Sequence, residues 1–295
     1  MIKRQRIVVF CCILTFVFSA GISFAGSQHG DPADKKVGIL LVAFGSSEES
    51  AQISFENIDQ KVKGTYPDIP VRWAFTSHII RKKLAGQGKQ LDSPQVALAK
   101  MSDDGFTHVA VQSLHTIGGA EFHDLARIVS SFRIMGAFQS ILLGYPLLGT
   151  QEDMKKAVDA LFAVLPKERQ KDEAVVFMGH GTHHPSNGFY AALNFQVQLE
   201  DPNVLIGTVE GYPDLELIQS LLKKRGVKKV YLLPFMSVAG DHAKNDMAGD
   251  EEDSWKNILT KAGYNCETIL KGTAEFDQFT DIWVDHLAEP LSHFK

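Results

Sequence analysis

Cysteine is scarce in this chain: three in 295 residues, with Cys11 and Cys12 inside an apolar N-terminal run. Once that run is removed Cys266 stands alone. An intrachain disulfide is then impossible, and cysteine-built zinc and iron–sulfur sites are excluded. The fold has to rest on an apolar core, and the 44% apolar content is enough to build one. An excess of positive charge is also missing, since 30 Lys and Arg face 35 Asp and Glu. That balance argues against non-specific nucleic-acid binding. A GxSxG nucleophile motif is absent, which leaves little support for an exported hydrolase with a histidine base.

Long apolar runs are lacking too. "IVVFCCILTFVF", residues 7–18, falls short of the roughly 20 residues a membrane span needs. It follows the basic "MIKRQR" and precedes "SAGISFA", where Ser23 and Ala25 give a small-x-small pattern. This order predicts a secretory signal peptide over residues 1–25 and a periplasmic protein without a stable membrane span after cleavage. Cleavage removes Lys3, Arg4 and Arg6 and no acidic residue, taking the formal net charge from −5 to −8.

Beyond the leader, apolar runs alternate with helical patterns. "KVGILLVAF" is unbroken, as in a strand buried on both faces. Ser46 and Glu49 have capping-box spacing ahead of a helix through Phe55, Ile58 and Val62. Ser93 with Pro94, and Thr150, start further helices. The expected strands are "PVRWAF", "HVAVQSL", "SILLGYPLL", "AVVFM", "NVLIG", "KKVYLLPF" and "CETIL", with later helices near 189–199, 214–225, 251–262 and 275–288. The expected fold class is α/β, with two similar domains, 36–170 and 171–295, each a parallel sheet of about four strands flanked by helices.

The halves overlay. "VAFGSS" matches "VFMGHG", "VRWAFTS" matches "VLIGTVE", and "VAVQSLHTIGGAEFHDL" matches "VYLLPFMSVAGDHAKND". Ser46 then stands opposite His180, Ser77 opposite Glu210 and Glu121 opposite His242, at offsets of 134, 133 and 121 residues. This reads as a duplication.

Ligands of open parallel sheets bind beyond the carboxyl ends of the strands. His180, Glu210 and His242 each follow a different strand of the second half. Two imidazoles and a carboxylate suit a divalent metal with open coordination positions. The same trio could move protons, or each could simply cap a helix. The cluster "HGTHHP" also allows His180 to pair locally with His183 or His184, but Gly181 and Pro185 oppose a continuous helix there. In the first half His115 and Glu121 remain polar at a strand end, and His78, Arg81, Lys82 and Lys83 form a basic cluster that could meet an anionic ligand or be a solvated helix face. His123 reads as a surface histidine or a spare metal ligand.

The segments "ILLVAFGSS", "TSHIIRKKL", "VQSLHTIGGAEF", "MGHGTHHPSN", "GTVEGYPDL" and "LLPFMSVAGDHAKNDMAGDEEDSWK" span nearly the whole mature chain. In this order they resemble the class II tetrapyrrole chelatases, in particular the long, two-domain anaerobic sirohydrochlorin cobaltochelatases. The resemblance implies a cleft between the domains and insertion of Co2+, with Fe2+ as a possible second metal, into sirohydrochlorin on a cobalamin or sirohaem route. It implies His180, Glu210 and His242 as metal ligands, with His180 and His242 catalytic. The partners implied are an anionic tetrapyrrole and a divalent ion, and a homo-oligomer is possible. Around the substrate carboxylates, helix N-termini at Ser46–Ser47 and Gly118–Gly119 would act with His78 and Arg81, while Leu114, Phe235 and Met236 would cover the macrocycle. Export departs from the usual cytoplasmic setting of such biosynthesis. It leaves a second expectation, a periplasmic carrier of metal or tetrapyrrole that keeps the chelatase fold.

Overall fold

A computed structural model describes residues 34–295. The expected signal peptide and most of the polar lead-in lie outside the described residues. Apolar runs become strands and the periodic segments between them become helices. The first half runs β1 Val37–Ala43, α1 Gln52–Thr65, β2 Val71–Phe75, α2 His78–Gly86, α3 Pro94–Asp103, β3 His108–Ser113, α4 Ala120–Ile134, β4 Ser140–Gly144 and α5 Gln151–Ala163. The second runs β5 Ala174–Gly179, α6 Gly188–Glu200, β6 Val204–Thr208, α7 Leu215–Arg225, β7 Lys229–Pro234, α8 Trp255–Lys261, β8 Asn265–Thr268 and α9 Asp277–Ser292.

The sheets have orders β2-β1-β3-β4 and β6-β5-β7-β8, and every pairing is parallel. The same order in both halves is the topology a duplication leaves. The fold class is as expected: two four-stranded parallel sheets flanked by helices.

Strand side chains alternate between faces. Ile39, Leu41 and Ala43 of β1 join Val175 and Phe177 of β5 in one core shared by both halves. Leu40 and Val42 face a second core under α3 and α4, and Val176 and Met178 face a third under α7 and α8. Double burial is why these strands read as unbroken apolar runs.

The C-terminal helix α9 does not stay with its own sheet. It lies against β3, β4 and α5 of the first half and buries Phe279, Ile282, Trp283 and Leu287. His286 of α9 holds this crossing, with Nδ1 donating to the Tyr145 carbonyl at 3.0 Å and Nε2 paired with the Asp153 carboxylate at 2.8 Å.

Helix starts follow the expected caps at Ser93, whose hydroxyl accepts from Val96, and at Thr150, which forms a capping box with Asp153. The capping box expected at Ser46 and Glu49 is not formed. The Ser46 hydroxyl accepts from the Glu48 N–H instead, and a 3-10 turn at Glu49–Ala51 precedes α1. Among the described residues no helix is long and apolar enough to cross a membrane.

Candidate metal centre

β5, β6 and β7 are neighbours, so the residues that follow them emerge at one end of one sheet. His180 directly follows β5, Glu210 lies two residues past β6, and His242 lies in the segment after β7. One ligand atom from each falls within 4.8 Å of the others. The imidazoles of His180 and His242 meet edge to face at 4.5 Å between centroids, and His180 Nδ1 lies 3.9 Å from Glu210 Oε2. The three side chains are 43, 50 and 34% exposed, so ions reach them from solvent.

The backbone builds this meeting. Val209 N–H donates to the Gly179 carbonyl and Glu210 N–H to the His180 carbonyl, which lays the two loops side by side. Gly181 has φ +80°, and a Cβ there would lie 2.8 Å from both Gly211 N and Thr208 Cβ. Only glycine fits that conformation and that approach without strain. Asn187 staples the same loops, accepting from Thr182 N–H at 3.0 Å and donating to the Tyr212 carbonyl at 2.6 Å. Below them Tyr190 is buried, and burial pushes its phenol upward against the opposing influence of the Gly181 backbone and Thr116.

Hydrogen bonds select the nitrogen each histidine presents. His180 Nδ1 lies 2.8 Å from the Gly181 carbonyl, which can only accept. Nδ1 therefore carries the proton and Nε2 keeps its lone pair. His242 Nδ1 lies 2.5 Å from Asp246 Oδ2, which leaves its Nε2 free in the same way. Asp246 reaches back across the π-helical turn Ala243–Met247, four residues on from His242.

The cobalt chelatase (CbiK) family matches residues 37–292. A sirohydrochlorin cobaltochelatase, CbiKC, of Nitratidesulfovibrio vulgaris is 48% identical over 265 residues, covering 90% of this chain and 94% of the relative. A sirohydrochlorin cobaltochelatase of Salmonella typhimurium is 36% identical over 259 residues, covering 87% and 97%. The chain belongs to the cobalt chelatase (CbiK) family. Among solved structures, SirB from Bacillus subtilis with Fe3+ superposes with a TM-score of 0.56 at 17% identity, over 86% of this chain and 95% of that one. CbiX, the terminal enzyme of sirohaem biosynthesis in denitrifying bacteria, gives 0.54 at 13% identity, over 85% and 98%. These two likenesses concern the fold.

Within this chelatase fold the other expected site residues fall into different places. Ser46 is buried, and its Oγ lies 3.3 Å from where a Cβ on Gly240 would sit, so it packs beside the His242 segment. His78 and Glu121 are exposed in the first turns of α2 and α4. The Arg81 guanidinium turns inward and donates to the carbonyls of Phe75 and Thr76, closing the end of β2. The His115 Nδ1 lies 2.8 Å from the Ser113 hydroxyl, and its Nε2 is sealed without a partner. Burial pushes its imidazole down to about 4. Met236 is half-buried against the outer core of the second sheet.

Leu114 corrects an expectation. It is 3% exposed inside the shared core, so its side chain cannot cover a macrocycle, and Phe235 is fully buried in the same core. Both lie just past strand ends, where the last apolar residue of a buried strand still points into packing. Of the other histidines, His184 accepts at Nδ1 from Ser186 N–H and meets His123 of the first half at 5.0 Å between ring centroids. His183 is exposed.

Two residues escaped the sequence reading. Asp246 stands four positions after His242, a spacing that on any helical turn brings a carboxylate to an imidazole. Asn187 carried no signal, because its role depends on the fold of two loops.

Proposed function

We propose that this chain inserts Co2+ into sirohydrochlorin, with His180, Glu210 and His242 receiving the metal. Membership of the family and 48% identity across 90% of the chain support the reaction. The observation that carries the site is the convergence of three donor atoms within 4.8 Å at the end of one sheet.

The metal is a substrate, so the enzyme has to release it. Two imidazoles and a carboxylate leave coordination positions open, unlike the closed four-ligand set of a structural site. The macrocycle nitrogens can enter those positions while the protein ligands still hold the ion. Insertion exchanges two pyrrole N–H protons for one divalent ion, so the charge of the macrocycle is unchanged. As Co2+ moves to the ring, Nε2 of His180 regains its lone pair and can accept one proton, and His242 or the Glu210 carboxylate can accept the other. The protons stay on Nδ1 of each ring, donated to the Gly181 carbonyl and the Asp246 carboxylate, which keeps both rings oriented through the exchange. Fe2+ suits the same nitrogen and oxygen donors and is proposed as a second metal.

Export through residues 1–25 belongs to the proposal as read from the basic, apolar and small-residue order. Amino-terminal sequencing of the protein recovered from a periplasmic fraction tests it.

The chemistry is tested by anaerobic absorbance of the mature protein with sirohydrochlorin and Co2+ or Fe2+, beside His180→Ala and His242→Ala. Many turnovers in the wild type, lost in both variants, are expected. A spectral change limited to one equivalent would make the protein a carrier, and equal rates in all three proteins would remove these histidines from the reaction.

A further inference from the structure

The first half carries Ser46 and Ser77 where the second carries His180 and Glu210, yet its β1–α1 loop remains tightly built. Gln52 Nε2 donates to the carbonyls of Ser46 and Glu48, both at 3.4 Å, which fixes the loop to the start of α1. From there Glu48 Oε2 accepts from Lys244 Nζ at 2.6 Å, and Lys83 Nζ lies 3.9 Å from Oε1. The side chains of Glu48 and Lys244 are 25 and 35% exposed, so the pair is only partly screened. The Lys244 hydrogen bond holds the Glu48 carboxyl below its usual range against the opposing cost of burial, and the charges of Lys244 and Lys83 add to it.

Lys244 sits midway between His242 and Asp246 in the π-helical turn. The Glu48–Lys244 contact therefore lies on one side of His242, and the Ser46–Gly240 packing lies on the other. A π-turn departs from regular helical hydrogen bonding, and such turns gather at functional sites. Here two contacts from the other half of the molecule brace it. We propose that Glu48 is a positioning residue for the metal centre, acting through Lys244 to hold the His242–Asp246 turn in register with His180 and Glu210. The copy without ligands has become the buttress of the copy that kept them. The proposal rests on the metal-binding reading given above.

The test is Co2+ titration of the protein without tetrapyrrole, followed by the visible absorption of bound Co2+. Glu48→Gln and Lys244→Met are each expected to raise the dissociation constant about three- to tenfold, toward the lower end of the effects of outer-shell partners. The double variant should lose no more than the worse single, because both act through one contact. Lys244→Arg should stay near wild type, and thermal midpoints should move little in all four. Unchanged affinity in the singles, multiplying losses in the double, or a midpoint that collapses in step with affinity would each overturn the proposal. His242→Ala separates the two levels. If it leaves Co2+ affinity intact, the metal centre itself is misread and the strut falls with it. If it abolishes binding while Glu48→Gln does nothing, only the strut is lost.

Discussion

Asp246 holds the Nδ1 of His242 at 2.5 Å from its carboxylate and thereby decides which face of the imidazole meets a metal ion. Asp246→Ala removes the acceptor and lets the ring turn and change tautomer. Asp246→Asn keeps an acceptor but loses the charge that supports the ligand. Co2+ affinity is expected to fall about 10- to 100-fold in the alanine variant and by less in the asparagine variant. Metal titration reads the difference. Equal affinities in wild type and alanine variant would show that His242 is oriented by its packing alone.

Gly181 carries the other half of the geometry. With φ at +80° and the 208–211 backbone in contact, Gly181→Ala has to displace the loop that brings Glu210 to His180. The cost to folding is at least about 1 kcal/mol, since alanine disfavours this conformation even in open space. Thermal denaturation should show a midpoint lowered by about 2 °C or more. Co2+ affinity should fall with it, because His180 and Glu210 separate. A loss of stability with affinity intact would mean that the loop gives way on its far side.

How much of this was legible beforehand depends on the kind of residue. β1 and β5 could be read as buried strands because both faces of each are packed, which leaves no polar interruption. The caps at Ser93 and Thr150 were legible because they act within four residues of themselves. Ser46 has the same local pattern, but its hydroxyl accepts from Glu48 N–H and a 3-10 turn comes before α1, so the capping box does not close. Leu114 failed for a different reason. Its position at a strand end is local, whereas its burial comes from the shared core between the sheets. The crossing of α9 and the bond between Glu48 and Lys244 are long-range too, and no spacing in the chain announces them.

The three histidines of "HGTHHP" should separate by function. His180 offers one of three donor atoms that lie within 4.8 Å of one another, so His180→Ala should lower kcat/KM for Co2+ insertion about 100-fold or more. His183 is exposed and belongs to neither the triad nor the His123 contact. His183→Ala should stay within about twofold, as surface substitutions do. Steady-state kinetics on the two variants side by side decide the matter. Comparable losses would return the local pairing of the two histidines to consideration.

His115 predicts how stability responds to acid. Its imidazole sits at about 4 in the folded chain against an ordinary 6.5, because charging it would strand a cation on a sealed Nε2. Between those values the unfolded chain binds a proton that the folded chain refuses. The contribution of His115 is therefore complete above about pH 6.5 and is lost as pH falls toward 4. The full loss is at most about 3 kcal/mol. His115→Gln cannot take up this proton in either state. The stability difference between wild type and variant, measured by urea denaturation at steps from pH 7.5 to 4.5, should therefore shift against the wild type as pH falls. A difference that is flat with pH would mean that the ring reaches water and titrates normally, and an NMR titration of the imidazole near 6.5 would say the same directly.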